Sequence, residues 1–190
     1  MKTRLALLTI AMSCTFAASA MASTKAEYKA EKTRISADYK VAKEKCAPMK
    51  ANAKDICMSE AKGMEKVAKA EAEASYEPSA KHTEKVAFAK GDAAYDTAKE
   101  KCDDLSGNAK DVCVKDAKAA HVKAKEDAKL AKVATDTSKT KNDKMASAKK
   151  DASEDKRDAD YKAARERCDA LAGAPKDSCQ NDAKVKFGVK

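Results

Sequence analysis

The apolar positions of this chain recur in one figure. Tyr39, Ala42 and Cys46 stand at i, i+3 and i+7, and the same residue types return as Tyr95, Ala98, Cys102 and as Tyr161, Ala164, Cys168. That spacing places ring, methyl and sulfur on one face of a helix. A second cysteine follows each first one after eleven positions and heads another helical run: Cys57-Ala61-Met64, Cys113-Ala117-Ala120 and Cys179-Ala183-Phe187. Between the two runs lie a stop and a start. Leu105-Ser106-Gly107 supplies a helix-ending glycine and Asn108 an N-cap with Asp111 three residues on; Gly173, Pro175 and Asp177 hold the same register in the third copy. In the first copy Asn52 and Asp55 take those places, and Pro48 ends the preceding helix.

Each copy therefore predicts an αα-hairpin, with one cysteine near the end of its first helix and one near the start of its second. Met49, Leu105 and Leu171, each three past the first cysteine, are expected to plug the turns. The units are 23–76, 77–134 and 144–190, with SYEPSAK around Pro78 breaking the helix between the first two and TDTSKTKND (135–143) as a polar linker expected to fray. Tyr28 stands eleven before Tyr39, which hints at an eleven-residue helical period. The predicted fold is all-α: long Ala/Lys-rich helices forming three disulfide-stapled hairpins, elongated or loosely bundled, with little globular core.

Composition agrees with a thin structure. Aromatic residues make up 4% and tryptophan is absent, while charged residues make up 37%. Alanine carries most of the apolar content; it favours helix strongly and buries little surface.

The N-terminus changes the chemistry expected of the cysteines. MKTRLALLTIAMSCTFAASAMA has Lys2 and Arg4 ahead of an apolar run, Leu5 to Ala18, too short to span a bilayer, and ends in small residues. It reads as a secretory leader (1–22) cleaved after Ala22, in preference to lipidation at Cys14. Of seven cysteines, removal of Cys14 leaves six, all inside the repeated figure. An even number in an exported chain reads as disulfides, and the threefold local repeat selects Cys46–Cys57, Cys102–Cys113 and Cys168–Cys179 from the possible pairings. The mature chain has no transmembrane segment, and the expected location is the periplasm.

Candidate chemistry is sparse. His82 and His121 lie in no zinc or nucleophile motif, the five glycines form no phosphate loop, and no carboxylate pair stands apart from the helix background. The expectation is a protein that is not an enzyme and carries no cofactor. Ten residues between paired cysteines are too many for the usual zinc spacing, so metal sequestration through cysteines ranks below disulfide formation. The charge of +9 becomes +7 without Lys2 and Arg4, but lysines alternate with acids, as in EKVAKAEAEA and KAKEDAKLAK. Interleaving of this kind marks solvated helix faces with i,i+4 pairs, and nucleic acid is not an expected partner. An anionic polymer of the cell envelope, or a partner protein, is the alternative for a cationic helical surface.

The phrase YxxAxxxC…NAKDxC, carried by Tyr95, Ala98, Cys102, Asn108 to Asp111 and Cys113, resembles a group of Lys/Ala-rich exported proteins of Gram-negative bacteria, often labelled TolA-like. The Lys/Ala/Glu pattern is also similar to desiccation-protective helices of the late-embryogenesis-abundant type. These resemblances imply an envelope location and a helical architecture, and they carry no functional residues over. The expected role is structural or stress-protective.

Overall fold

A computed structural model describes residues 22–189, so the leader, Cys14 and the cleavage position at its end fall largely outside the described residues. Six helices follow in order: α1 Lys25–Cys46, α2 Ala51–Tyr76, α3 Ala80–Cys102, α4 Gly107–Ala134, α5 Lys141–Cys168 and α6 Ala174–Phe187. There is no strand among the described residues.

Local signals account for the ends. At α1 a capping box closes the first turn: Glu27 N–H donates to Thr24 Oγ1 at 3.2 Å, and Thr24 N–H donates to Glu27 Oε2 at 2.7 Å. That contact holds the Glu27 carboxyl below its usual range, the Thr24 backbone N–H first among the causes. Ser79, just past Pro78, caps α3 by accepting from His82 N–H at 3.1 Å. The stretch expected to fray between the second and third units is instead a short ordered turn. Asp136 accepts from Lys144 Nζ and from Ser138 N–H, both at 2.7 Å, and its pKa is lowered to about 2, chiefly by Lys144. A carboxylate with a cation and an N–H to hold organises a turn that polarity alone suggests is loose.

Packing runs strictly along the chain. α1 meets α2, α2 meets α3, α3 meets α4, α4 meets α5 and α5 meets α6, and no other helix pair is in contact among the described residues. The result is an open array of antiparallel neighbours, one helix deep, with all three cystine turns at one end. Its buried side chains are mostly alanine: Ala61, Ala70, Ala72, Ala119, Ala128, Ala152, Ala159, Ala163 and Ala183, joined by Ile35, by Cys46, Cys102 and Cys168, and by Glu126. Each buried methyl contributes little hydrophobic free energy, so backbones must come close for dispersion to add up. At Gly63 they do. A Cβ there would stand 2.8 Å from Ala93 Cβ, and one at Gly91 would stand 3.3 Å from Ala124 Cβ.

Candidate functional site

The most distinctive chemistry of the chain sits at the cystine end. Cys46–Cys57, Cys102–Cys113 and Cys168–Cys179 are disulfides, each with Cα atoms 5.6 Å apart. In every pair the first cysteine is sealed from solvent and the second is half-buried. The three turns share a backbone device as well. Six residues before the second cysteine φ is positive: 49° at Ala51, 54° at Gly107 and 60° at Gly173. Glycine takes this conformation freely, whereas alanine there is strained.

Several residues expected as helix caps act differently. Gly107 does not end α3, whose cap is Asp103; it opens α4 behind Ser106. Gly173 is the N-cap residue of α6 and Ala174 its first helical residue, so Pro175 stands second in the helix, one place later than the N1 position expected. Asn52 and Asn108 are not N-caps. The left-handed residue starts each helix one position earlier, so the asparagine already lies inside the first turn. Its amide reaches across to the next unit instead. Asn52 Nδ2 donates to Glu100 C=O at 2.7 Å, and Asn108 Nδ2 donates to Glu166 C=O at 2.9 Å. Both acceptors lie in the last turn of a helix, where each carbonyl accepts only the N–H three residues on, from Asp103 or Asp169 at 3.1 Å, and keeps a lone pair for the amide. Met49, Leu105 and Leu171 are not plugs either: they are 43–45% exposed.

Two of the three tyrosines of the repeated figure meet the residue eight past the second cysteine of their own hairpin. Tyr95 stacks on His121, with centroids 4.7 Å apart, and Tyr161 meets Phe187 edge-on at 6.4 Å. His121 Nε2 also contacts Asp92 Oδ1 at 2.6 Å. Glu65 occupies that place opposite Tyr39. Ala42, Ala98 and Ala164 are half-buried on the same faces. At the other end of the array Tyr28 stacks on Tyr76 at 4.7 Å, closing the first hairpin beside the Ser23 N–H donated to Ser75 C=O at 2.9 Å. The Tyr76 contact was not foreseen; its only signal was an aromatic residue placed just before Pro78.

The contacts between successive units follow one scheme. The small residue six past the second cysteine faces an alanine nine before the next unit's first cysteine: Gly63 with Ala93, then Ala119 with Ala159. At two matched places an acid on the outgoing helix pairs with a base on the incoming one, while Lys66–Asp96 at 3.1 Å and Lys123–Asp160 at 2.7 Å run the other way. Glu60–Lys101 at 3.3 Å corresponds to Asp116–Arg167 at 2.5 Å, and Glu71–Lys90 at 2.8 Å corresponds to Asp127–Lys156 at 2.5 Å. None of this was read from sequence as an interface, although acids and bases at matched offsets in each copy were its visible signal. The second and third turns are also bridged by ions, Lys110–Asp103 at 2.9 Å and Lys176–Asp169 at 2.8 Å. Hydrogen bonding to its partner raises the Lys110 pKa and lowers that of Asp169.

Concave surface is shallow. A groove of about 640 Å³ runs along α4 and α5, with Lys118, Lys125 and Lys162 facing Glu126, Asp155 and Asp158 beside His121. Lys118 lies over the Tyr95 ring and Lys125 over the Phe88 ring, at 5.5 and 5.3 Å, and neither is in a salt bridge among the described residues. Glu126 is buried and held by Lys129, whose pKa it raises. Among the described residues no group of three or more His, Cys, Asp or Glu side chains could hold a metal ion, and no helix is long and apolar enough to cross a membrane. Comparison with family models, with curated proteins and with solved structures finds no match.

Proposed function

We propose that the protein is a non-enzymatic, exported helical protein that serves a structural or stress-protective role in the cell envelope. The observation that supports this most is the set of three equivalent, locally closed disulfides at one end of the array. Bridges of this kind persist in oxidising compartments, and the apparent secretory leader supplies the route to one. A structure with so little apolar burial depends on covalent closure when conditions turn harsh, which suits a protein working outside the cytoplasm. The resemblance to Lys/Ala-rich exported proteins points the same way. Fractionation of producing cells, with the mass of the mature chain, tests the location. A periplasmic chain starting at Ser23 with no free thiol supports it; a cytoplasmic chain still starting at Met1 refutes it. For the role itself, a strain lacking the protein is expected to lose viability under drying, acid or osmotic shock, and an unchanged survival curve counts against it.

A second reading is favoured by the groove on α4 and α5. Lys118 and Lys125, each over a ring and in no salt bridge among the described residues, offer two cations about 10 Å apart along one face of a groove that also holds Glu126, Asp155 and Asp158. This suits an anionic envelope polymer. Sedimentation with peptidoglycan or lipopolysaccharide at low and high salt separates the readings: salt-sensitive co-sedimentation lost in Lys118→Gln/Lys125→Gln favours the binding module, and no retention at low salt removes it. Metal sequestration through cysteines requires the reduced protein, because a disulfide offers no thiolate.

A further inference from the structure

The scheme that joins one unit to the next has a donor side and an acceptor side. On the donor helix stand an asparagine, an acid eight residues on, a small residue eleven on and an acid nineteen on. These are Asn52, Glu60, Gly63 and Glu71 in α2, and Asn108, Asp116, Ala119 and Asp127 in α4. At about 100° per residue they fall within an arc of about 100°. The acceptor helix answers with a base, an alanine, a last-turn carbonyl and a second base: Lys90, Ala93, Glu100 and Lys101 in α3, and Lys156, Ala159, Glu166 and Arg167 in α5. That carbonyl already accepts the N–H three residues on, from Asp103 and Asp169, and takes the asparagine amide on its second lone pair; Glu44 C=O on α1 accepts from Ala47 N–H in the same way. Eleven residues separate the two bases, and eleven separate the two acids, so the charges match at about 16 Å along antiparallel helices.

α1 carries the same acceptor set in full. Arg34, Ala37, Glu44 and Lys45 stand at the corresponding offsets from Cys46, and all four are exposed. α1 also meets α2 as α3 meets α4, through a disulfide of the same Cα separation. Among the described residues, the face that α3 and α5 turn toward the preceding unit is therefore open on α1, and Arg34 pairs there with its own helix's Glu31 and Asp38.

We infer that the outer face of α1 is a docking surface for the second helix of a disulfide-closed hairpin on another protein, one bearing asparagine, acid, Gly or Ala, and acid at i, i+8, i+11 and i+19. Charge complementarity and continuity with the two internal interfaces specify that occupant. A second copy of this chain does not fit, because α6 lacks the donor set. The asparagine is replaced by Ala174, the small residue by Val185 at 82% exposure, and the helix stops at Phe187, before the second acid would come. Only Asp182 remains. α6 thus closes the array at one end while α1 leaves it receptive at the other, in the manner of a capping repeat.

The test gives this chain a donor helix. Residues 174–190 are replaced by a copy of residues 108–134, which keeps the cysteine register, and association is followed by sedimentation velocity. Disulfide mapping and circular dichroism establish that the chain is folded. The unaltered protein is expected to stay monomeric, the exchanged chain to associate head to tail, and Arg34→Glu/Lys45→Glu within it to weaken association by at least about tenfold. A second variant, Ala174→Asn/Val185→Ala in the intact chain, is read in the same way. Both are made starting at Ser23. Monomers throughout, or association indifferent to the α1 reversal, would each overturn the inference.

Discussion

The first and third turns of the array make the same reversal with unequal means. Both close an eleven-residue separation with a disulfide, and both need a positive φ six residues before the second cysteine. The third turn puts Gly173 there and adds Pro175 at the helix start and a Lys176–Asp169 pair across the turn. The first turn puts Ala51 at φ 49°, and Ala47 and Lys54 occupy the places of that ion pair. What the first hairpin has instead is company. Its second helix is held by the next unit through Asn52 and Gly63, whereas α6 meets no helix but α5 among the described residues. The lesson is that local turn chemistry and neighbour packing substitute for one another, with the disulfide common to both.

The largest effect expected from breaking this comparison comes from the bridges. Removing one, as Cys46→Ala/Cys57→Ala or Cys168→Ala/Cys179→Ala, should cost about 3 kcal/mol by the chain-entropy model. The local consequences should differ: α6, the shortest helix and packed only on α5, should lose hydrogen-exchange protection throughout, while α2 stays protected along its contact with α3. Equal loss in both would contradict the account.

Gly63→Ala comes next. The new methyl meets the Ala93 Cβ at 2.8 Å, a group fixed to its backbone, so overpacking of about 1–3 kcal/mol outweighs the gain in helix propensity of about 1 kcal/mol. Gly91→Ala, whose new methyl stands 3.3 Å from the Ala124 Cβ and needs a shift of only a few tenths of an ångström, should be close to neutral. Chemical denaturation of the two variants decides it. Asn52→Ala should cost about 1 kcal/mol for a part-buried hydrogen bond, whereas Ala174→Asn in the otherwise natural chain should change little, having no carbonyl to reach.

Ala51→Gly should stabilise the first turn by about 1 kcal/mol, since the strain of a left-handed alanine exceeds the entropy lost to glycine. Gly173→Ala should do the reverse. The smallest effect concerns acid. Asp136 has a folded pKa of about 2 against about 3.9 in an unfolded chain, so its contribution is present above pH 4 and is lost as pH falls through 2. Asp136→Asn should flatten the pH dependence of stability in that window and leave the profile above it unchanged.

Much of this architecture was legible in sequence for a physical reason. Tyrosine, alanine and cysteine at helical offsets, thrice repeated, determine helix faces and bring the cysteines together at each turn, so hairpins and bridges follow. The role of Asn52 and Asn108 did not follow, because an asparagine at a helix start satisfies either its own N–H groups or a neighbour's carbonyl, and only the true start of the helix decides which. The same limit applies to Gly63: in sequence it is a weak spot in a helix, and its purpose emerges when Ala93 arrives from thirty residues further along. The turn at 135–140 was misjudged because composition registers polarity and misses the bond from Lys144 back to Asp136.

The central claim is that local disulfides hold together an array whose alanine core is too thin to hold itself. Thermal unfolding followed by circular dichroism, with the protein oxidised and then reduced, tests it most directly. The account predicts a cooperative helical melt in the oxidised protein that moves down by tens of degrees, or disappears, on reduction, as three bridges of about 3 kcal/mol each would require. Coincident melts in the two states would contradict it.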